Sequence, residues 1–322
     1  MKRLPALALC LLPALLMPLH AQAQAPYPNK PVRVIVQFPA GGAADTITRV
    51  IAQPLGAALG QSIVVENRPG ADGAIAADAV LKSAADGYTL FMATSSAMSA
   101  VPAMRKSPPY DPVRDFTPIS KVGTFSYFLF THPSVPAKNV AELIEYLRAN
   151  PGKVNYAGPT TTGIMAAVQL AGHAKADMVR VPYKGEGAAT IDLVSGRVQL
   201  MFATPTNAMG PAREGRLRVL ATLLPQRSPM APEVPTIAES GAKPLSIVPW
   251  AGFFAPGKPP AEVIARLNRE IVAVLRQPEV RAQIERQAFE VQPSTPEELA
   301  AHTREQLEVW KSAVRDSGMP QE

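Results

Sequence analysis

The sequence predicts a two-lobed α/β protein, each lobe a mostly parallel sheet flanked by helices, and three observations carry that expectation. From Pro31 onward, short apolar β-branched runs alternate with Ala/Leu-rich stretches of helical spacing. The same alternation restarts after Phe116, which implies two similar units in tandem. A length of 322 residues with 47% apolar and 18% charged content is enough for two cores and excludes a disordered or collagen-like chain. The 34 prolines are scattered singly between apolar segments, as stiff loops rather than a low-complexity tract.

Taken in order, the chain opens on MKRLPALALCLLPALLMPLHAQAQA: two basic residues, an apolar stretch from Leu4 to Leu19, and overlapping A-x-A sites ending at Ala23 and Ala25. This is the grammar of a cleaved secretory signal peptide, too short and proline-broken for a stable membrane span. Leu9 stands before Cys10 where a lipidated cysteine needs a small residue, so a lipid anchor is not expected. Cleavage removes Lys2, Arg3, His20 and the one cysteine, and lowers the formal charge from +6 to +4. The mature chain then has no disulfide, no cysteine nucleophile and no thiolate ligand. Its basic excess is spread without a Lys/Arg run, which excludes a nucleic-acid surface.

The first unit reads as a strand over Val32 to Phe38, a turn, a helix over Thr46 to Leu59, a strand over Ile63 to Asn67, a helix over Ala74 to Ser83 and a strand over Tyr88 to Ala93. The second gives strands at Tyr127 to Thr131, Val154 to Ala157, Met178 to Tyr183, Val198 to Phe202 and Leu217 to Leu223. Its helices run from Asn139 to Ala149, Gly163 to His173 and Ala188 to Ser195. A last strand at Ile247 to Ala255 precedes helices over Pro260 to Leu275, Pro278 to Arg286 and Pro296 to Ser317. This tail is expected to pack back on the first unit. The expected organisation is a leader over 1–25, a discontinuous first lobe over 26–124 and 231–322, and a second lobe over 125–230, joined by two crossings that act as a hinge.

Three strand-to-helix turns share one chemistry: FPAGGAADT (Phe38 to Thr46), YAGPTTTG (Tyr156 to Gly163) and PYKGEGAAT (Pro182 to Thr190). Each places glycines and small or hydroxyl residues at a helix N-terminus, where N–H groups and the helix dipole attract anions. In sheets of this kind ligands sit at the carboxyl ends of the strands, so an anion held between the lobes is expected. The candidates are Phe38, Ala40, Gly41, Gly42 and Ala43 from the first turn, Pro159, Thr160, Thr161 and Thr162 from the second, and Tyr183, Lys184 and Gly185 from the third. Thr94, Ser95 and Ser96 follow the third strand and join them, with Lys184 as a countercharge. Asp45 is expected to brace the first turn, because a carboxylate beside an anion repels it. Trp250 and Phe253, near the second crossing, are expected to be core.

Rival chemistries fail on the residues. Gly158 to Gly163 has G-x-x-x-x-G spacing, but Ile164 and Met165 replace the Lys and Ser/Thr of a nucleotide P-loop, and Gly185-Glu186-Gly187 begins a dinucleotide fingerprint without completing it. Ser240 to Lys243 matches S-x-x-K formally, yet Gly241 and Pro244 oppose the helix that motif needs. His132, His173 and His302 lack metal-ligand spacing. No catalytic residue, metal or cofactor is therefore expected.

The segments YPNKPVRVIVQFPAGGAADTITRVIAQPLGAALGQSIVVENRPGADGAIAADAV, YDPVRDFTPIS, VPYKGEGAAT, REGRLRVLAT, PEVPTIAESG and WAGFFAPGKPP span essentially the whole mature chain. They resemble the Bug family, the periplasmic receptors of tripartite tricarboxylate transporters. The resemblance implies a type II periplasmic binding protein that closes like a Venus flytrap on a small carboxylate, held by backbone amides and ordered water near the first turn. It also implies a monomer whose partners are the membrane subunits of a transporter. One departure is that many relatives carry Asp after the strand Val198 to Phe202, where it receives a ligand amine; here the position is Ala203, followed by Thr204. The second-lobe turn GPTTTG also replaces a serine/glycine-rich version. Both point away from an amino acid and toward a di- or tricarboxylate or an aromatic carboxylate, with Ala203 and Thr204 near the ligand. A sensory ligand-binding subunit and an exported hydrolase are the alternatives.

Overall fold

The computed structural model describes residues 27–242, 247–318 and 321. The expected leader, Cys10 within it, and Lys243 of the S-x-x-K match lie outside the described residues.

The first part of the chain runs β1 (Val32–Val36), α1 (Ala43–Leu59), β2 (Ile63–Asn67), α2 (Ala74–Leu81), β3 (Thr89–Thr94), a π-helical turn at Ser96–Ala100, α3 (Val101–Met104) and β4 (Phe116–Phe125). The middle part runs β5 (Phe128–Thr131), α4 (Val140–Ala149), β6 (Asn155–Gly158), α5 (Thr161–Ala174), β7 (Val179–Pro182), α6 (Glu186–Val194), β8 (Leu200–Ala203), α7 (Pro205–Arg213) and β9 (Arg218–Thr222). The last part adds β10 (Trp250–Pro256), α8 (Ala261–Leu275), α9 (Pro278–Glu285), β11 (Phe289–Val291) and α10 (Pro296–Ser317).

Two sheets result, ordered β11-β4-β10-β3-β1-β2 and β7-β6-β8-β5-β9. Both are mixed, which corrects the expectation of mostly parallel sheets. Only β1 with β2 and β3, and β6 with β7 and β8, pair in parallel. The crossings between lobes are the cause: β10 re-enters the first sheet antiparallel to β3 and β4, and β5 enters the second antiparallel to β8 and β9. The returning tail covers the first sheet, with α8 packed on α1 and α10 on β4. Trp250 and Phe253 are buried in that core, and the Trp250 ring meets His302 edge-on at 4.9 Å.

The crossings lie side by side. Only Ser126 and Tyr127 separate β4 from β5, and the Phe125 N–H donates to the Pro249 carbonyl on the other crossing at 2.8 Å. Thr222, the last residue of β9, donates its hydroxyl to the Tyr127 carbonyl at 3.1 Å. The following segment stays on that sheet edge, where the Thr222 N–H donates to the Pro235 carbonyl at 2.8 Å.

The helices facing the cleft begin earlier than their composition predicts: α1 at Ala43 rather than Thr46, α5 at Thr161 rather than Gly163, α6 at Glu186 rather than Ala188. The small residues are thus the first helical turns themselves. In α5 this requires Gly163, because a Cβ there stands 2.6 Å from the Phe202 carbonyl oxygen of β8. That glycine serves close helix-to-sheet packing, which gives the G-x-x-x-x-G spacing a structural reason.

Candidate functional site

A cavity of about 370 Å³ lies between the two sheets, where the first turns of four helices meet. From the first lobe it is lined by the turn Phe38 to Ala44 and by Thr94, Ser95 and Ser96; from the second by Thr160, Thr162, Lys184 to Ala188, Thr204 and Asn207. Phe125, Tyr127 and Pro249 close it at the crossings. Of the sequence candidates, Phe38, Ala40, Gly41, Gly42, Ala43, Thr94, Ser95, Ser96, Thr160, Thr162, Lys184, Gly185 and Thr204 reach the wall. The other five do not line it: Pro159, Thr161 and Ala203 are buried, Tyr183 donates its hydroxyl to Asp192 at 2.8 Å, and Asp45 sits behind the first turn.

Three of the four helix starts carry no side-chain cap: α1 at Gly42, α6 at Gly185 and α7 at Thr204. The fourth, α5, is capped by its own Thr160, whose hydroxyl accepts from the Gly163 N–H at 3.1 Å. Uncapped first turns present N–H donors and the positive end of the helix dipole. The cavity wall thus has the chemistry to hold an anion through backbone amides as well as side chains. Its ionisable wall residues are Tyr127, Lys184 and Glu186 alone among the described residues.

Asp45 holds the first turn from behind. Its carboxylate accepts from the Gly41 N–H at 2.9 Å, from Arg49 Nε at 3.0 Å and from Asn67 Nδ2 at 2.8 Å, and Asn67 also donates to the Phe38 carbonyl at 2.9 Å. Burial by itself pushes the Asp45 carboxyl up, but the donors from Arg49, Gly41 and Asn67 outweigh it and hold the pKa below the ordinary carboxylate value. The strand β3 and its π-helical turn are fixed by Gln37, whose Oε1 accepts from the Thr94 N–H at 3.0 Å, and by Tyr110, which donates to the Ala97 carbonyl at 2.7 Å. Across the cleft, Thr161 donates to the Ser96 hydroxyl at 2.7 Å, and a Cβ at Gly185 stands 3.1 Å from the Pro39 ring.

Glu186, Tyr127, Phe125, Asn207 and Pro249 line the cavity without having been singled out from the sequence. Glu186 accepts from the Thr204 N–H at 3.1 Å, from the Thr204 hydroxyl and from Tyr127. Burial raises its pKa, with the Thr204 and Tyr127 donors opposing the rise. The Tyr127 hydroxyl, within 3.1 Å of Thr160 Oγ1, is pushed up by burial first and by the charge of Glu186 second. Among the described residues no group of three His, Asp or Glu side chains is placed to hold a metal, and no helix is long and apolar enough to cross a membrane.

Two α/β lobes joined by paired crossings, with an amide-lined cavity between them, define a two-lobed solute-binding protein. The chain belongs to the tripartite tricarboxylate transporter family receptors, whose family model matches residues 47–319. It is 36% identical over 297 residues to protein BugT of Bordetella pertussis, covering 91% of this chain and 90% of that one. Among solved structures, an R. palustris protein with adipate is 30% identical with a TM-score of 0.86, covering 91% of this chain and 98% of that chain. MatC from Rhodopseudomonas palustris with bound malate is 31% identical with a TM-score of 0.84, covering 89% and 100%. The family and its solved neighbours are periplasmic binding proteins rather than enzymes.

Proposed function

We propose that this protein is a periplasmic receptor that captures a small di- or tricarboxylate, or an aromatic carboxylate, and delivers it to the membrane subunits of a tripartite transporter. The observation that carries the reading is the convergence of uncapped helix starts from both lobes on one cavity of about 370 Å³, the lower end of the range for small-molecule sites. Amides of Gly42 to Ala44, beyond the Gly41 N–H that Asp45 occupies, hold one carboxylate, with Thr94 to Ser96 and the second-lobe turns closing over the rest. Phe38, Phe125 and Tyr127 supply the apolar wall that methylenes or a ring require. The relatives solved with adipate and malate support the ligand class.

Closure is a hinge motion at the Phe125 to Phe128 and Pro249 crossings, driven by contacts that form only when both lobes touch the ligand. The buried Thr161–Ser96 hydrogen bond joins the two lobes directly and supports the closed arrangement. Thr161→Val leaves the Ser96 hydroxyl without its donor and is expected to weaken carboxylate affinity by about 1 kcal/mol, roughly fivefold, in a calorimetric titration. The receptor reading is tested by a thermal-shift panel of adipate, malate, succinate and citrate against their uncharged amides. A binding carboxylate at a hundred times its dissociation constant is expected to stabilise the fold by about 2.7 kcal/mol. A flat panel across all the acids would overturn it.

A further inference from the structure

Among the described residues Glu186 is the one acidic side chain in the wall of the cavity that the Gly41 to Ala44 turn also lines, and its setting is unlike that of an ion-pair partner. Its three donors, the Thr204 N–H, the Thr204 hydroxyl and the Tyr127 hydroxyl, are all neutral. Lys184, the cation of the same turn, makes no ion pair with it. Among the described residues no other charged side chain lines this cavity. The α5 start contributes Thr160 and Thr162, α7 contributes Thr204 and Asn207, the crossing contributes Tyr127, and the first-lobe turn has no ionisable group at the wall. Asp45 is turned away into Arg49 and Asn67.

We propose that Glu186 is a specificity-determining residue that meets the second carboxyl group of the ligand through a shared proton, so that each dicarboxylate is captured together with one proton from solvent. The inference rests on the carboxylate-receptor reading above. A ligand whose first carboxylate occupies the first-turn amides brings its second within a cavity of about 370 Å³ that already holds Glu186. Two carboxylates brought together, with no cation paired to Glu186, do not both stay ionised: one takes a proton, and the O–H···O contact that results is favourable where the ionised pair is repulsive. Burial has already moved Glu186 toward its protonated form before any ligand enters. The ligand's negative charge moves it further in the same direction, so the bound state holds more protons than the free state, and affinity rises as pH falls.

The test is isothermal titration of the full mature chain with succinate, L-malate, adipate and L-aspartate between pH 5 and 8, in buffers of different ionisation heat so that protons are counted directly. The expected result is net uptake approaching one proton per dicarboxylate, with affinity falling by up to about tenfold per pH unit across the steepest part of the range. In Glu186→Gln, which keeps the shape and an acceptor, the pH slope and the proton uptake disappear together. Tight binding of any dicarboxylate by the wild-type chain with no proton uptake throughout this range overturns the inference alone, as does preferential binding of L-aspartate through an ammonium facing an ionised Glu186. If none of the four acids binds at any pH, the receptor reading fails and this inference falls with it.

Discussion

Gly185→Val is expected to weaken carboxylate affinity by about ten- to a hundredfold while leaving the melting temperature of the ligand-free protein nearly unchanged. Gly185 caps α6 with φ 178 and ψ 168, an extended backbone that any residue adopts, so the substitution strains nothing locally. Its cost lies across the cleft. A Cβ at this position is already 3.1 and 3.2 Å from Pro39, and the two methyl groups of valine extend further into that ring. Pro39 lies in the turn between β1 and the uncapped start of α1, and its ring must give way before the lobes meet. Overpacking of this kind costs about 1 to 3 kcal/mol, and here the lobes avoid it by staying apart. The loss therefore falls on the ligand-bound, closed form. Calorimetric titration of the variant and of Gly185→Ala, which asks Pro39 to move only a few tenths of an ångström, is expected to show a graded loss. Equal affinities in both variants and the wild type would mean that capture does not bring these two turns together.

Asp45→Ala is expected to cost about 3 kcal/mol of folding stability, measured by chemical denaturation, together with a loss of affinity. The residue is 2% exposed, and its carboxylate satisfies the Gly41 N–H, Arg49 and Asn67 at once. Hydrogen bonds to a charged group contribute about 1.5 to 3 kcal/mol each before the loss is shared among relaxing partners. Its removal leaves the Gly41 N–H without its acceptor and frees the turn that lines the cavity. The pH dependence has a fixed sign. Because the folded-state pKa of Asp45 is lowered, its charge-dependent stabilisation is fully present above the unfolded carboxylate value and disappears as pH falls through the folded value. The stability gap between wild type and Asp45→Asn is accordingly expected to be widest near neutrality and to close in acid. A gap that is constant with pH would mean that the carboxylate's charge contributes nothing.

The parts of this molecule written in local pattern were legible before any coordinates. Ile63 to Asn67 reads as a strand because β-branched residues are bounded by turn residues, and Pro296 to Ser317 reads as a helix by its spacing, to which the structure adds a capping box of Thr295 and Glu298. The three cleft turns were visible through their glycines and hydroxyls. Elements whose identity depends on partners were not. The strand β4 contains Pro118 and Gly123 and changes register twice against β10, so no alternation survives in it, and β11 is three residues long.

Helix starts rich in Gly, Ala and Thr look like loop until the neighbouring strand shows that Gly163 is packed against Phe202. Glu186 lay in plain view in PYKGEGAAT. Nothing in that segment shows that Thr204 and Tyr127 hold this acid with neutral donors at the cavity wall, because both partners come from other elements. Tyr127 itself reads as the first residue of a strand; its place on the crossing is a property of the fold. The spatial pairing of Ser96 with Thr161 is likewise set by how the two lobes meet.

The most direct measurement is a crystal structure of the complex with whichever dicarboxylate gives the largest thermal shift. The expected result is one ligand in the cavity between the lobes, with carboxylate oxygens accepting from amides of Gly42 to Ala44 and at least one contact from the Thr160, Gly185 or Thr204 turns. A ligand bound to one lobe alone, or anywhere outside this cavity, would contradict the account.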